Sequence, residues 1–180
     1  MLDLNNESDR IDSRFLEPTC GSGNFLIPVL ERKLLIAELE SRGNKKKRDH
    51  LSLLALMSIY GIELLKDNVK ECRLNLLEAF SSFLELDGSS DLYQAAHNVL
   101  TLNIIQGNTL EMRTNTNRPI IFSEWTYNGK GKFKRKDFRF DSLVNENSNG
   151  SPHTPLKVYS PMSIRDIAKN TTKRSRELTL

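Results

Sequence analysis

A glycine turn between an apolar run and a helical pattern constrains the fold of this chain more than any other feature. Residues 14–17 end in Glu17, and the small-residue segment Pro18-Thr19-Cys20-Gly21-Ser22-Gly23-Asn24 follows them. Glycine adopts positive φ freely and lets a ligand approach the backbone, so we expect a tight turn with accessible amides. The pattern predicts a strand over 14–17 and a helix over 25–39 capped by Asn24. Because Pro28 lacks an N–H, this helix is expected to start later or to be distorted there.

Further strands and helices alternate after this turn. The sequence predicts helices over 49–57, from Asp67 onward and from a start within residues 89–91 to Leu100, and strands over 58–63, 103–106 and 119–122. This alternation predicts an α/β fold with a mostly parallel sheet covered on both faces. Ligands of such sheets bind at the carboxyl ends of the strands. Three candidate positions fall there: residues 21–24, Glu63, and Gly107-Asn108.

Two of these positions carry polar side chains with alternative interpretations. Glu63 ends a predicted strand, where a carboxylate accepts hydrogen bonds from the two hydroxyls of a ribose, or it ends the strand at the surface. Asn108 is expected either to bond the edge of an adenine ring or to serve as a turn residue. Cys20 is interpreted as a small packing residue of the turn, because no histidine lies near it in the sequence.

The region after residue 126 has a different character. We predict a cofactor-binding core over 1–126 and a basic extension with a tail over 127–180, the latter with a loop over 145–155 and a helix over 161–169. Residues 132–140 alternate basic and aromatic types, which indicates either phosphate contacts by Lys132, Lys134 and Arg135 or an edge strand with inward phenylalanines. The basic run 45–48 is predicted as a solvated loop.

Bulk properties set the remaining expectations. The net charge of +3 permits nucleic-acid binding without arguing for it. Two cysteines make neither a disulfide framework nor a metal cluster, so a cytoplasmic location without a metal is expected. No apolar run approaches the roughly 20 residues of a membrane span, so no membrane association is expected.

Three segments resemble the cofactor motifs of adenine-specific DNA methyltransferases of restriction-modification systems. These are residues 17–26, residues 60–64 followed by Asp67-Asn68-Val69, and residues 103–108. The resemblance implies a Rossmann-like methyltransferase core that binds S-adenosylmethionine, DNA as a partner, and transfer of a methyl group to the amino nitrogen of a flipped adenine. The residues that it assigns to the cofactor are Glu17, Pro18, Thr19, Gly21, Gly23, Asn24, Phe25, Glu63, Leu64 and Asn108.

The catalytic motif of that family is absent from the sequence. Its members carry Asn or Asp followed by Pro-Pro and an aromatic residue, whereas Ser123-Glu124-Trp125-Thr126 occupies the corresponding place. The catalytic residues therefore stay unassigned, although Trp125 is a candidate for stacking on a base. We expect an incomplete core: a subunit or remnant that methylates DNA only when partner chains complete it. The alternatives are a methyltransferase for another substrate with Glu124 near the acceptor, and a non-enzymatic module that binds nucleic acid or a partner.

Overall fold

The computed structural model describes residues 10–144 and 154–169, and it contains a mostly parallel sheet of four strands. Strands β1 (Phe15–Glu17), β2 (Ile59–Glu63) and β3 (Ile104–Asn108) run parallel in the order β1-β2-β3. Strand β4 (Arg113–Thr114) pairs antiparallel with β3 at the edge. The predicted α/β class and the first three predicted strands are therefore confirmed.

Four helices connect the parallel strands and pack together on one face of the sheet. They are α1 (Leu26–Ser41) and α2 (Lys45–Met57) before β2, and α3 (Lys66–Leu84) and α4 (Asp91–Asn103) before β3. Their buried side chains form one core with Ile59 and Ile104 of the sheet. Among the described residues, no helix combines the length and the apolar character that a membrane crossing requires.

The basic run 45–48 forms the first turn of α2, so the prediction of a loop there is wrong. The side chain of Asn44 accepts a hydrogen bond from the Lys47 amide at 2.9 Å and caps the helix. A cap of this kind satisfies a backbone donor that the helix itself leaves unpaired. The helix therefore begins four residues before the apolar pattern indicates.

A second, antiparallel sheet follows β4 in the chain. Strands β5 (Ile121–Tyr127), β6 (Phe133–Arg139) and β7 (Lys157–Val158) pair in that order, with helix α5 (Phe140–Val144) after β6 and helix α6 (Ile164–Lys169) after β7. The prediction that the strand over 119–122 continues the parallel sheet is wrong. It begins at Ile121 and places Phe122 opposite Phe138 of β6. Strand β5 thus crosses the boundary that was predicted after residue 126, between the cofactor-binding core and the basic extension. Residues 145–153 of the predicted loop lie outside the described residues.

The second face of the parallel sheet is covered by residues of this antiparallel region and of the short helix α5. Tyr60 and Ile62 point away from the helical core, because successive strand residues point to opposite faces. They pack with Ile120, Phe122 and Phe140. The outer side of β1 has no paired strand among the described residues, so β1 is an edge of the sheet.

A buried lysine of α1 fixes the segment that leads into β1. The Lys33 side chain is 1% exposed, and its ammonium donates to the carbonyls of Arg10, Ile11 and Ser13 at 2.9, 3.2 and 2.6 Å. Charge-assisted bonds of this kind are stronger than those between neutral groups. Helix α1 therefore holds in place the segment that directly precedes β1.

Candidate functional site

The glycine turn lies between β1 and α1, at the carboxyl end of the parallel strands. Gly21 has a φ of +52° and Gly23 a φ of +94°, which confirms the predicted use of positive φ. The Cys20 amide donates to the Ile62 carbonyl at 3.0 Å, and the Gly23 amide donates to the Cys20 carbonyl at 2.9 Å. The first bond attaches the turn to the neighbouring strand β2, and the second closes the turn on itself.

Helix α1 begins at Leu26 without a side-chain cap, so the predicted cap at Asn24 is wrong. Phe25 occupies the capping position, and the Asn24 side-chain oxygen accepts from the Ser22 hydroxyl at 3.3 Å instead. The late start removes the conflict at Pro28, which becomes the third helical residue. Its missing N–H is one of those that have no partner within the helix in any case.

The Glu63 carboxylate is the principal polar group beside the turn. One of its oxygens accepts a hydrogen bond from the Gly21 amide at 3.0 Å, and the other accepts from the Leu65 amide at 2.9 Å. A carboxylate has about four acceptor positions, so two remain for donors of a ligand. The structure thus unites Gly21 and Glu63, the two residues on which the prediction of a nucleoside site depends.

The other predicted polar residues also lie at this edge of the sheet. Glu17 accepts from both the amide and the hydroxyl of Thr19 at 3.3 Å, and the Pro18 carbonyl accepts from the Thr109 hydroxyl at 2.5 Å. The Asn108 side chain accepts from the amides of residues 110 and 111 at 3.0 and 3.3 Å, in the manner of a turn residue. The ends of β1 and β3 are therefore joined directly.

Large apolar side chains are uncovered around this polar turn. Phe25 is 53% exposed and Leu64 is 61% exposed, and both were predicted to contact the cofactor. Leu110, which follows Asn108, is 93% exposed. An edge with convergent polar groups and uncovered apolar side chains resembles small-molecule sites in general, which combine an apolar lining with a few placed polar groups.

Two buried thiols lie beneath the turn, and both are free. A Cβ added to Gly61 would lie 2.8 Å from the Cys20 sulfur, and one added to Gly23 would lie 3.0 Å from the Cys72 sulfur. Cys20 therefore packs as predicted, and glycine at position 61 is what makes room for it. The hydrogen bond from Cys72 lowers the pKa of Cys20, whereas this bond and burial raise the pKa of Cys72.

A second candidate site is a cavity of about 620 Å³ beside the edge strand β1. It lies between the second face of the parallel sheet, strands β5 and β6, and helix α5. The Arg14 guanidinium contacts the Glu124 carboxylate at 2.5 Å at this cavity, and the Tyr60 hydroxyl donates to the Ser123 carbonyl at 2.8 Å. The lining residues are Arg14, Leu16, Tyr60, Phe122, Ser123, Glu124, Lys136, Phe138, Phe140, Leu143 and Val144.

Residues 123–126, which replace the expected catalytic motif, lie within strand β5 and not in a loop at its end. Trp125 is only 7% exposed and packs in the helical core, so its predicted role of stacking on a base is wrong. The Arg135 guanidinium lies 5.6 Å from the centre of its ring. Period-two alternation accounts for this, because Phe122 and Glu124 face the cavity and Trp125 therefore faces away from it.

The structure separates the three basic residues predicted to bind nucleic acid. Lys132 and Lys134 are exposed, whereas Arg135 is half-buried and makes two bonds to the Asp137 carboxylate at 2.7 and 2.8 Å. Strand β6 pairs on both sides, so the alternative interpretation as an edge strand is wrong, although Phe133 is buried as that interpretation required. The two lysines remain the candidates for phosphate contacts.

Several residues at these sites were not predicted from the sequence. Asn75 of α3 donates to the Ser22 carbonyl at 3.0 Å and so supports the turn from the helical side. Tyr60, Lys136 and Phe138 line the cavity. The sequence does contain a signal for Tyr60. Gly61 packs against the turn, and adjacent residues of a strand point to opposite faces, so Tyr60 must point to the other face of the sheet.

Comparison of the chain with protein-family models, with curated proteins and with solved structures finds no match. Within residues 10–144 and 154–169, no group of three or more His, Cys, Asp or Glu side chains is arranged to hold a metal ion.

Proposed function

We propose that this chain binds S-adenosylmethionine at the carboxyl edge of β1, β2 and β3. The observation that carries the proposal is the hydrogen bond between the Gly21 amide and the Glu63 carboxylate. It unites a positive-φ glycine turn with an acid at the end of the adjacent parallel strand, an arrangement with which Rossmann folds bind nucleoside cofactors. The resemblance to adenine-specific DNA methyltransferases supports S-adenosylmethionine as the particular cofactor.

The residues at this edge fit the parts of that cofactor. A Cβ at Gly21 would meet no atom within 4 Å, so the space beside this turn is open to a ligand. The two unused acceptor positions of Glu63 suit the two ribose hydroxyls, and the exposed Leu64 offers an apolar surface to the adenine ring. Glu17 and the turn itself would hold the methionine end. The bound cofactor would supply an electrophilic sulfonium methyl group.

We further propose that the chain is a subunit or remnant of a DNA adenine methyltransferase and depends on partner chains for catalysis. An exocyclic amino group is a poor nucleophile because its lone pair is delocalised into the ring, so it needs hydrogen-bond acceptors near the methyl group. The motif that supplies them in the family is absent, and residues 123–126 are held inside the β5–β6 ladder. The isolated chain therefore lacks the hydrogen-bond acceptors that would activate the amino group.

Calorimetry with S-adenosylmethionine tests the cofactor site, with circular dichroism as the check that the protein is folded. We expect saturable binding, and an absence of binding at millimolar ligand by the folded chain would contradict the proposal. Transfer of a labelled methyl group to DNA tests catalysis. We expect little or none from the isolated chain, and rapid transfer would show that no partner is needed.

A non-enzymatic nucleic-acid-binding module is the second candidate. The observation in its favour is the exposure of Lys132, Lys134 and Lys136 on and beside one strand of the antiparallel sheet. Such a module would bind DNA through its phosphates with a strong dependence on salt, and without S-adenosylmethionine. Binding of DNA by a chain that ignores the cofactor would favour this candidate.

A further inference from the structure

We propose that the cavity beside β1 binds a nucleobase that carries a phosphate group. None of the residues predicted to bind the methyl donor lines this cavity, and it opens on the second face of the sheet. Its volume of about 620 Å³ lies within the range of about 300–1,000 Å³ that small-molecule sites occupy. The cavity is therefore separate from the proposed cofactor site.

The walls of the cavity are suited to a flat ring. Tyr60, Phe122, Phe138 and Phe140 all contribute to its lining, together with the part-exposed Leu16. The rings of Tyr60 and Phe140 each meet the ring of Phe122 edge-on, with centres 5.4 Å apart. These contacts hold the aromatic walls in fixed orientations. Stacking on such side chains is the main source of sequence-tolerant affinity for unpaired bases.

The carboxylate of Glu124 indicates that the ring carries N–H donors. Its side chain is 20% exposed, and Arg14 contacts one of its oxygens at 2.5 Å. The second oxygen has no protein donor among the described residues, and a carboxylate in an apolar cavity is stabilised by hydrogen bonds from a ligand. The amino groups of adenine, cytosine and guanine supply such donors.

Two lysines on the same side of β6 are placed for the phosphate. Lys136 lies opposite Glu124 in the ladder and lines the cavity, and Lys134 is two residues away on the same face. Both are exposed, and neither forms an ion pair with a described residue. An apolar pocket with one acceptor and adjacent cations thus matches a nucleotide, either free or as an unpaired residue of a DNA strand.

Fluorescence anisotropy with labelled single strands tests the proposal on the full chain. The probes are an oligodeoxyadenylate of about 12 nucleotides, within the site sizes of single-strand-binding surfaces, and an abasic strand of the same length and charge. We expect the adenylate strand to bind about 10-fold more tightly, because stacking of one base is worth about 1–3 kcal/mol. Calorimetry with adenosine monophosphate distinguishes a free nucleotide from one that must be part of a strand.

Four variants locate the binding. Leu16→Trp fills the cavity and should remove the preference for the adenylate strand while leaving the abasic strand unaffected. Lys136→Gln should weaken the binding of both oligonucleotides alike and reduce the salt slope of that binding by about 1. Glu63→Ala should leave the preference unchanged, which separates this cavity from the methyl-donor site. Lys46→Gln, an exposed lysine of α2, is the matched control and should change neither affinity.

The outcomes that would overturn the proposal are specific. Equal affinities for the two strands, together with no heat from adenosine monophosphate, would show that no base enters the cavity. A preference that survives in Leu16→Trp but is lost in Glu63→Ala would place the base at the glycine turn instead. Either result is compatible with binding of S-adenosylmethionine, so the two proposals fail separately.

Discussion

The Glu63 carboxylate accepts a hydrogen bond from the Gly21 amide at 3.0 Å, although the two residues are 42 positions apart in the chain. This contact links the end of β2 to the turn that follows β1. The same carboxylate accepts from the Leu65 amide at the start of α3. Glu63 therefore shapes the candidate site as well as offering acceptors to a ligand.

Glu63→Ala should weaken the binding of S-adenosylmethionine by about 1–3 kcal/mol, which is a factor of about 5–150. The reason is the loss of acceptors for the ribose and of the bond that holds Gly21. Isothermal titration of the wild-type and variant chains measures the change. Glu78→Ala, on the exposed side of α3, is the control and should bind as the wild type does. An affinity unchanged by Glu63→Ala would remove this residue from the site.

Gly61→Ala should lower the free energy of unfolding by about 1–3 kcal/mol, because overpacking of a filled core forces its neighbours to move. The new Cβ would lie 2.8 Å from the sulfur of Cys20 and 3.1 Å from its Cβ. Gly88→Ala is the control, since its nearest neighbour is 4.0 Å away. Urea unfolding measures both variants.

A double-mutant cycle with Cys20→Ala tests the cause of that loss. Removal of the sulfur should relieve part of the strain, so the two substitutions should be non-additive. Simple additivity would show that the destabilisation has another origin than contact with Cys20.

Asp137→Ala should lower the free energy of unfolding by about 3 kcal/mol or more, because it leaves the half-buried Arg135 without its partner. Asp137 also accepts from the hydroxyls of Ser123 and Tyr159, each at 2.8 Å. The control is Asp141→Ala, which removes the carboxylate of the more exposed Arg139–Asp141 pair and should cost less than about 1 kcal/mol. Thermal or urea unfolding measures both variants. Equal losses of stability in Asp137→Ala and Asp141→Ala would show that burial of the Arg135–Asp137 pair does not determine its contribution.

The nucleic-acid alternative predicts different effects for the lysines and for Arg135. Lys132→Gln and Lys134→Gln should each lower the salt slope of DNA binding by about 1 without changing the unfolding midpoint. Arg135→Gln should instead lower the stability, because Asp137 would lose two bonds at 2.7 and 2.8 Å. Anisotropy across a range of salt concentrations gives the slopes. A salt slope that stays the same in both lysine variants would argue against DNA contacts by Lys132 and Lys134.

Tyr60→Phe should change how stability depends on alkaline pH. Burial raises the pKa of the Tyr60 hydroxyl, which donates to the Ser123 carbonyl at 2.8 Å. The folded state therefore keeps its proton when the unfolded chain, with a pKa of about 10, begins to lose it. Because the folded state binds more protons, the stabilisation is complete below about pH 10 and is lost as the pH rises further.

Urea unfolding at pH 8 and at about pH 11 measures this effect. At pH 8 the variant should be less stable by about 1 kcal/mol, the usual contribution of one hydrogen bond. At the higher pH the difference between the two proteins should shrink. A constant difference across this range would show that Tyr60 does not titrate with unfolding.

The first half of the fold was predictable because its signals are local. The apolar run before Glu17 and the glycines at 21 and 23 determine a strand and a turn from a few adjacent residues. The contact between Gly21 and Glu63 followed from the rule that parallel strands end at one edge.

The antiparallel sheet was not predictable in the same way. An alternating segment such as 121–127 has the same pattern whether its partner runs parallel or antiparallel, so its pairing with β6 depends on distant residues. The pairing of Arg135 with Asp137 had a local signal, because residues two apart in a strand share a face. The cap at Asn24 was wrong because the side chain of Asn24 accepts from Ser22 within the turn, and α1 begins at Leu26 without a side-chain cap.

The separation in sequence between β1 and β2 has a consequence for the order of folding. Residues 121–139 form a hairpin whose partners are close in the chain, whereas Phe15 pairs with Ile59 across two intervening helices. Closing the larger loop costs more entropy, so we expect the hairpin and the helices to form early and the three-residue strand β1 to join late. The glycine turn would then take shape in the last step, and a ligand that binds there would slow unfolding from the β1 end.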